Sequence, residues 1–466
     1  MAKMFAVEND PYLPALQKLV DSEFMQQLFT ERLENVDRRR FVIERVRPVE
    51  FRYRPGKRCE IIYRVRYAFT DDSGWDKHFF SALILPGEAA KQRFEQERHK
   101  LYVMPAFGPA IQFFEDLGLI IWGFPNDPKM AGLRQFLQPE FLKRYVAEHA
   151  EKFGLPPSAE IQFLNTSVVK YVPQDRCTLR HELRWRQNGR AESMTFFSKL
   201  FNDKFDSTGS YETLQALYRS DVCQRGALLF PQPILHDARR NAIVQYALQG
   251  AHLPDDFFRL DLHDFAYRCG MALAGLQQAR VPTANFRSRR GVLLEVTEGM
   301  QDVSKRHPEL LPDLQQIRSR LEQELADLPE LPRVSNHGAF RMTQMLRVGN
   351  RLGLVDFDGV LLADPMLDAG SFVAHLLYLV VKNELPLEKS LQAIRAFSRG
   401  YREMAPWGMP AEVLRWFVAG MLISKHAKKC IRLGKKHQDV RVERLVELAE
   451  EVMNQTIAFD MEHSEA

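Results

Sequence analysis

Two stretches of the chain repeat one another in the order of their apolar and polar positions. Residues 51–65 read FRYRPGKRCEIIYRV, and residues 169–183 read VKYVPQDRCTLRHEL. Both contain Tyr-x-Pro-x-x-Arg-Cys: Tyr53, Pro55, Arg58 and Cys59 in the first, Tyr171, Pro173, Arg176 and Cys177 in the second. Further on, Phe79-Phe-Ser-Ala-Leu83 is matched by Phe196-Phe-Ser-Lys-Leu200 at nearly the same offset. Two separate matches at near-equal spacing point to an internal duplication. The apolar pattern on either side of a Pro-containing turn predicts a β-hairpin, then a third strand and a helix. Each copy next shows a Pro-rich turn, Phe107-Gly-Pro109 and Phe230-Pro-Gln-Pro233, and closes with an apolar strand, Leu119–Trp122 and Ala242–Tyr246. The alternative is one long mixed domain carrying two similar hairpins.

From residue 255 the period changes to that of helices. Apolar positions at 3/4 spacing predict helices over Phe257–Arg280 and over Pro308–Leu328, the latter through Leu311, Leu314, Ile317, Leu321 and Leu325. Further helices are predicted over Ser371–Asn383, Leu387–Met404, Ala411–Leu433 and Val440–Phe459. Charged residues between the apolar positions read as solvated faces. Asn350-Arg-Leu-Gly353 predicts a turn between two strands, and the ends, 1–10 and 460–466, are expected to be loose. The organisation read from these patterns is a first small lobe over 1–140, a second over 158–250 and a helical large lobe over 251–466.

A chain of 466 residues has room for two or three domains with sizeable cores. Its net charge of +4 implies no general attraction to nucleic acid. The five cysteines are odd in number and scattered, with no Cys/His ligand spacing, and read as reduced thiols. The N-terminus has Glu8 and Asp10 and no apolar run, so it is not a secretory signal. The longest apolar stretch, near Phe372–Val381, contains His375 and is too short to span a bilayer. Cytoplasmic residence is the expectation.

The chemistry concentrates between His337 and Asp368. A His-Gly pair opens a short loop; the apolar strand Leu352-Gly-Leu-Val355 leads into Asp356-Phe-Asp358; Asp364-Pro-x-x-Asp368 follows. This segment resembles the catalytic segment of the aminoglycoside phosphotransferase and choline kinase group, small-molecule kinases with a protein-kinase-like fold. The order strand-strand-strand-helix-strand-strand in each copy likewise resembles the small lobe of that fold. The resemblance covers about 160–460. It implies an α+β, bilobal protein-kinase-like fold with a duplicated β-rich small lobe and a helical large lobe. It also implies ATP and Mg²⁺ as cofactors and a hydroxyl of a small polar molecule as acceptor.

Carried over by position, the family's phosphate-binding Lys falls on Lys199, in the strand Thr195–Lys199, with Glu212 as candidate carboxylate partner. Lys199 alternatively sits on a solvated strand face. The first copy has Ala82 at the matching place, so that copy is not expected to bind ATP. The strand ending Tyr246-Ala247 corresponds to the adenine hinge, and Gly250 to the turn after it. The Gly-free turn Pro173-Gln-Asp175 and the absence of GxGxxG weaken the phosphate-cradle argument.

Asp356 corresponds to the metal-binding Asp, a carboxylate at a strand end being a good ligand for Mg²⁺; the alternative is a turn-capping Asp. Asp358 is either a second ligand or a structural acceptor. Asp364 and Asp368 are expected to start the following helix and to tie down the loop. The loop itself departs from the family. The catalytic Asp falls on Ala339 and the metal-binding Asn on Gln344, whose amide oxygen still suits a metal. His337 corresponds to a loop-holding His, and Arg341 replaces a frequent His, ready to attract a phosphate or to remain solvated. No other carboxylate lies in the 337–344 loop, so phosphotransfer is expected to be impaired. The alternative is a pseudokinase, a nucleotide- or metabolite-binding regulatory module. A basic stretch, Lys425, Lys428, Lys429, Arg432, Lys435 and Lys436, suits an anionic ligand, an acidic protein or a membrane surface, or is a solvated helix face.

Overall fold

The computed structural model describes residues 10–54, 56–252, 261–432 and 438–457. The chain ends expected to be loose fall almost wholly outside the described residues. So do Lys435, Lys436 and the start of the helix expected from Phe257. The chain forms two compact units, one of residues 1–207 with 234–246, the other of 208–233 with 247–466.

The strands, in chain order, are β1 (Phe41–Arg54), β2 (Arg58–Phe69), β3 (Trp75–Ile84), β4 (Ile111–Phe114), β5 (Leu119–Gly123), β6 (Glu160–Val172), β7 (Arg176–Gln187), β8 (Arg190–Phe201), β9 (Leu228–Leu229), β10 (Pro233–Asp237), β11 (Ala242–Tyr246), β12 (Ala251–His252), β13 (Phe286–Arg287), β14 (Val334–Asn336), β15 (Met345–Val348), β16 (Arg351–Leu354) and β17 (Leu361–Ala363). The first unit holds two five-stranded antiparallel sheets of the same order, β1-β2-β3-β5-β4 and β6-β7-β8-β11-β10. Even the irregularities are shared. β1 bulges between Ile43 and Arg45 and between Pro48 and Glu50, β6 between Ile161 and Phe163 and between Val168 and Lys170. In both copies a helix follows the third strand, Glu88–Arg98 or Ser207–Arg219.

The duplication starts earlier than the hairpin motifs reveal. Each sheet buries its inner face under a pair of helices that precedes it: Leu16–Leu19 with Ser22–Arg32, and Ala131–Phe136 with Pro139–Glu148. Phe29, Tyr63, Phe80 and Phe114 build the first core; Phe136, Tyr145, Phe153 and Phe196 build the second. Each helix pair is introduced by an Asn-Asp-Pro triplet, at Asp10 and Asp127. The Asp10 carboxylate accepts hydrogen bonds from the Tyr53 hydroxyl (2.7 Å) and the Gly56 amide (2.8 Å). Asp127 accepts them from the Tyr171 hydroxyl (2.7 Å) and the Gln174 amide (2.7 Å). The shared Tyr-x-Pro motif is thus half of a lock. A buried Asp ties the entry of each lobe to its first hairpin, and the buried carboxylate is satisfied by two donors.

One alignment made from sequence shifts by a residue. Cys59 faces Ile84 as Cys177 faces Leu200, and Leu83 faces Ile120 as Lys199 faces Ile243. The place of Lys199 is therefore that of Leu83, and Ala82 corresponds to Ser198. Phe80, Ala82 and Ile84 point into the first core, so Ala82 is on the opposite face from the one Lys199 occupies. In a strand a one-residue slip exchanges the faces. The match of the two Phe-Phe-Ser strings hid that slip. Leu83, like Ala82, offers no charge to a phosphate.

The second unit combines a four-stranded sheet, β12-β15-β16-β9, a three-stranded sheet, β13-β17-β14, and a helical body. The helices Leu262–Gln278 and Leu387–Met404 cross where their backbones touch: a Cβ on Gly270 would lie 2.1 Å from the Phe397 carbonyl oxygen. Further helices are Arg289–Ser304, Leu311–Glu324, Met366–Val381, Ala411–Met421 and Gln438–Met453. The expected helix after Asp364 begins at Met366, not Ser371. The expected helix Ala411–Leu433 contains a π-helical stretch, Leu422–Ala427, before Lys428–Arg432. The turn expected at Asn350–Gly353 falls instead at Gly349-Asn350, because Arg351–Gly353 already pair in β16.

Replacing Asp127 by Ala removes a buried acceptor and orphans the Tyr171 hydroxyl and the Gln174 amide. Asp127→Ala is expected to cost about 2–4 kcal/mol, read as a lower urea midpoint. Unchanged stability would show that the lock contributes nothing.

Candidate functional site

The loop after β14 is held by one carboxylate. Asp368 lies in the first turn of the helix Met366–Val381, fully buried. It accepts the amides of His337 (2.5 Å), Gly338 (3.3 Å) and Phe340 (3.5 Å). Gly338 adopts φ +78°, and a Cβ there would lie 2.4 Å from the Gly359 carbonyl oxygen, so the His-Gly pair is required by space and by backbone. The His337 imidazole is bonded through Nε2 to the Val355 carbonyl (3.0 Å) and meets the Phe357 ring edge-on at 5.3 Å. His337 therefore joins the loop to the strand end that carries Asp356.

Behind the loop runs a polar chain that no sequence motif announced. The Trp407 indole donates to the Tyr401 hydroxyl (2.8 Å), which donates to Gln277 (2.5 Å). Gln277 donates to Asn336 Oδ1 (3.1 Å) and the Pro365 carbonyl (2.8 Å). Asn336 in turn donates to the Val334, Ala363 and Asp364 carbonyls. Asp364 caps the Met366 amide (2.8 Å) and pairs with Arg289 at 2.5 Å. Its burial nevertheless raises its pKa above the usual carboxylate value. These residues come from five separate segments, and their only signal in the sequence is that each is a polar residue within an apolar pattern.

Asp356 stands at the end of β16 in left-handed backbone, φ +74° and ψ +62°. That conformation is uncommon for a residue other than Gly and concentrates at functional sites. Its carboxylate accepts from Gln344 Nε2 at 3.0 Å, while the Val355 amide donates to the Gln344 carbonyl at 3.0 Å. Gln344 and Asp356 are thus brought side by side. Asp358 follows in the tight turn Phe357–Gly359. Among the described residues no cluster of three or more His, Cys, Asp or Glu is arranged around a metal site. Mg²⁺ does not need one, since one or two carboxylates with phosphate oxygens and water suffice. The Asp356 carboxylate fits such an ion, and Gln344, which turns its amide nitrogen to Asp356, would offer its oxygen with the amide turned over.

Ala339 and Arg341 follow on the same loop, Ala339 half-buried and Arg341 with its Nε buried and making no hydrogen bond. A residue missed as part of the site is Lys425. Its ammonium lies 3.4 Å from the Gly338 carbonyl oxygen and 3.4 Å from Ser371 Oγ. Burial lowers the Lys425 pKa, opposed by Asp368 and reinforced by Arg287. The sequence grouped Lys425 with Lys428. The structure separates them, for Lys428 pairs with Asp302 at 3.1 Å.

The remaining sequence candidates are distributed over both units. Lys199 is half-buried in the first, its Nζ 5.8 Å from the Phe201 ring centre. Tyr246 packs on the second core of that unit. Glu212 is exposed on the helix Ser207–Arg219, and Glu212 and Ala247 belong to the second unit.

Residues 209–407 match the phosphotransferase enzyme family. No curated protein matches the chain significantly. Among solved structures, a choline/ethanolamine kinase family protein from Mesorhizobium loti is 14% identical, covering 66% of this chain and 93% of that one, with a TM-score of 0.41. The choline kinase of Cryptosporidium parvum is 9% identical, covering 69% and 98%, with a TM-score of 0.47. A putative aminoglycoside phosphotransferase from Ralstonia eutropha is 16% identical, covering 67% and 98%, with a TM-score of 0.43.

Asp368→Ala should free the loop amides. Hydrogen exchange at His337 and Gly338 is expected to speed up by about tenfold or more, with distant helices unaffected. Unchanged protection there would refute the anchoring role.

Proposed function

We propose that the protein, whose residues 209–407 match the phosphotransferase enzyme family, binds ATP with Mg²⁺ and transfers the terminal phosphoryl group to a small polar acceptor. The observation that carries the reading is the pairing of Gln344 with Asp356 beside the anchored His337 loop. Asp356 and the Gln344 amide oxygen would hold Mg²⁺, with Asp358 as a further ligand. When bound, the ion neutralises charge on the phosphates, which together with positioning is most of what phosphoryl transfer requires. Lys199, Glu212 and the Tyr246-Ala247 backbone are the residues assigned to the nucleotide. His337 keeps the loop in shape, and Arg341 adds positive charge to it. Cytoplasmic residence belongs to the same reading, since ATP is available there and the five buried cysteines form no disulfide with one another.

A hydroxyl acceptor must lose a proton as it attacks. Ala339 cannot take it, the Gln344 amide is a very poor base, and the Asp368 carboxylate is already occupied by loop amides. Turnover on hydroxyl acceptors is therefore reduced. The same observation favours a second reading, a pseudokinase that binds nucleotide or metabolite as a regulatory module.

Calorimetric titration is expected to show Mg²⁺-dependent ATP binding that Asp356→Asn abolishes; ATP affinity indifferent to Mg²⁺ and to that change would remove the metal assignment. ATP consumption against sugars, amino-alcohols and aminoglycosides should be slow. Ala339→Asp should raise it by about 10²–10⁴-fold, the usual gain from a placed base. Fast wild-type turnover that the substitution leaves unimproved would falsify the impaired-enzyme reading. Binding without turnover in either protein would establish the pseudokinase.

A further inference from the structure

The site of the missing base is surrounded by cations. Lys425 reaches the Gly338 carbonyl oxygen next to Ala339, and Arg341 follows two residues later. Behind them, His375 and Tyr378 on the helix Met366–Val381 face His426, with ring centres 6.0 and 4.5 Å away. The Lys429 ammonium lies 5.7 Å from the Tyr378 ring centre. Two donors in this group, Arg341 Nε and His426 Nδ1, are buried and make no hydrogen bond. Unsatisfied buried donors are costly unless something fills them. Of the acids here, Asp368 accepts the loop amides, Asp356 accepts from Gln344, Glu295 pairs with Arg287, Glu384 with Lys382 and Asp302 with Lys428, while Asp358 stands in the turn Phe357–Gly359. Burial, reinforced by the neighbouring cations, holds His375 at a pKa of about 4 and His426 well below its ordinary value. Both imidazoles are therefore neutral at pH 7.

Within the reading of a phosphotransferase, we infer that the acceptor atom is an oxyanion, a carboxylate oxygen of a small organic acid held by Arg341 and Lys425. A carboxylate has no proton to lose, so Ala339 suits it where a carboxylate side chain would repel it. The carboxylate oxygen forms a bond to the γ-phosphorus of ATP, and the bond from that phosphorus to the β,γ-bridging oxygen breaks. ADP leaves with the electron pair, and the products are an acyl phosphate and ADP. The charge balances, a monoanionic carboxylate and tetraanionic ATP giving a dianionic acyl phosphate and trianionic ADP, and no proton is released. Transfer to a hydroxyl, in contrast, releases one.

The test has two arms. The first needs no nucleotide: a panel of mono- and dicarboxylates, with inorganic phosphate and uncharged polyols as controls, is screened by thermal shift on the wild-type protein, Arg341→Ala and Lys425→Met. Carboxylates should raise the melting temperature of the wild type, and each substitution should weaken that binding by about ten- to a hundredfold, as expected for a lost charge-assisted bond. Arg341→Ala, on the loop, keeps the test valid if the Lys425 variant fails to fold. The second arm supplies Mg²⁺-ATP and traps acyl phosphate with hydroxylamine as the hydroxamate, with proton release followed in weak buffer. Hydroxamate formed without proton release supports the inference. Binding of Mg²⁺-ATP with phosphorylation of hydroxyl compounds alone, or carboxylate binding that both variants retain, overturns it. Preference for inorganic phosphate over every carboxylate also overturns it. Absence of Mg²⁺-ATP binding while carboxylates still bind through Arg341 would instead count against the phosphotransferase reading and leave the oxyanion site standing.

Discussion

A single buried carboxylate organises the second unit. Asp368 sits in the first turn of an otherwise apolar helix, with no exposure to solvent. A charge in that place must be compensated, and the helix N-terminus and three loop amides do so. In return the loop from His337 to Phe340 acquires one shape. His337 then reaches Val355, and the strand end beyond it places Asp356 against Gln344. The chain from Trp407 through Tyr401, Gln277 and Asn336 supports the same loop from behind. Because the links are hydrogen-bonded and most are buried, the loop is well specified.

The first unit is built twice from one plan. In each copy an Asp at the entry binds a Tyr hydroxyl and a turn amide of the first hairpin, and a pair of helices covers the sheet. The copies differ where chemistry is at issue. At one corresponding place the first presents Leu83 and the second Lys199. The two sheets thus share their strand order and differ in charge at this place.

Around the loop of the second unit, the charge runs opposite to what a hydroxyl acceptor with a carboxylate base calls for. Lys425 reaches the carbonyl of Gly338 just before Ala339, Arg341 follows two residues after it, and Asp368 is taken up by the loop amides. The π-helical stretch Leu422–Ala427 contributes to this arrangement. Its wider turn changes the angular order of the residues that follow, and Lys425 faces the loop while Lys428 faces Glu298 and Asp302.

The sequence by itself determined the repeated Tyr-x-Pro-x-x-Arg-Cys hairpins, the α+β character with strands before helices, and the family resemblance through His337, Asp356 and Asp368. These features are local: a two-residue period, a turn, a short run of spaced polar residues. What only tertiary structure decided is what depends on distance through space. Asp10 and Asp127 gave no hint in sequence that they held Tyr53 and Tyr171, since each pair is separated by dozens of residues. The strand register that sets Leu83, not Ala82, opposite the place of Lys199 came from cross-strand pairing, because identical Phe-Phe-Ser strings one residue out of step cannot be told apart in one dimension. The cation beside Ala339 was hidden for a similar reason. Lys425 and Lys428 are neighbours in a basic stretch, and only the packing of a π-turn against the loop sends one to the site and the other to a surface ion pair.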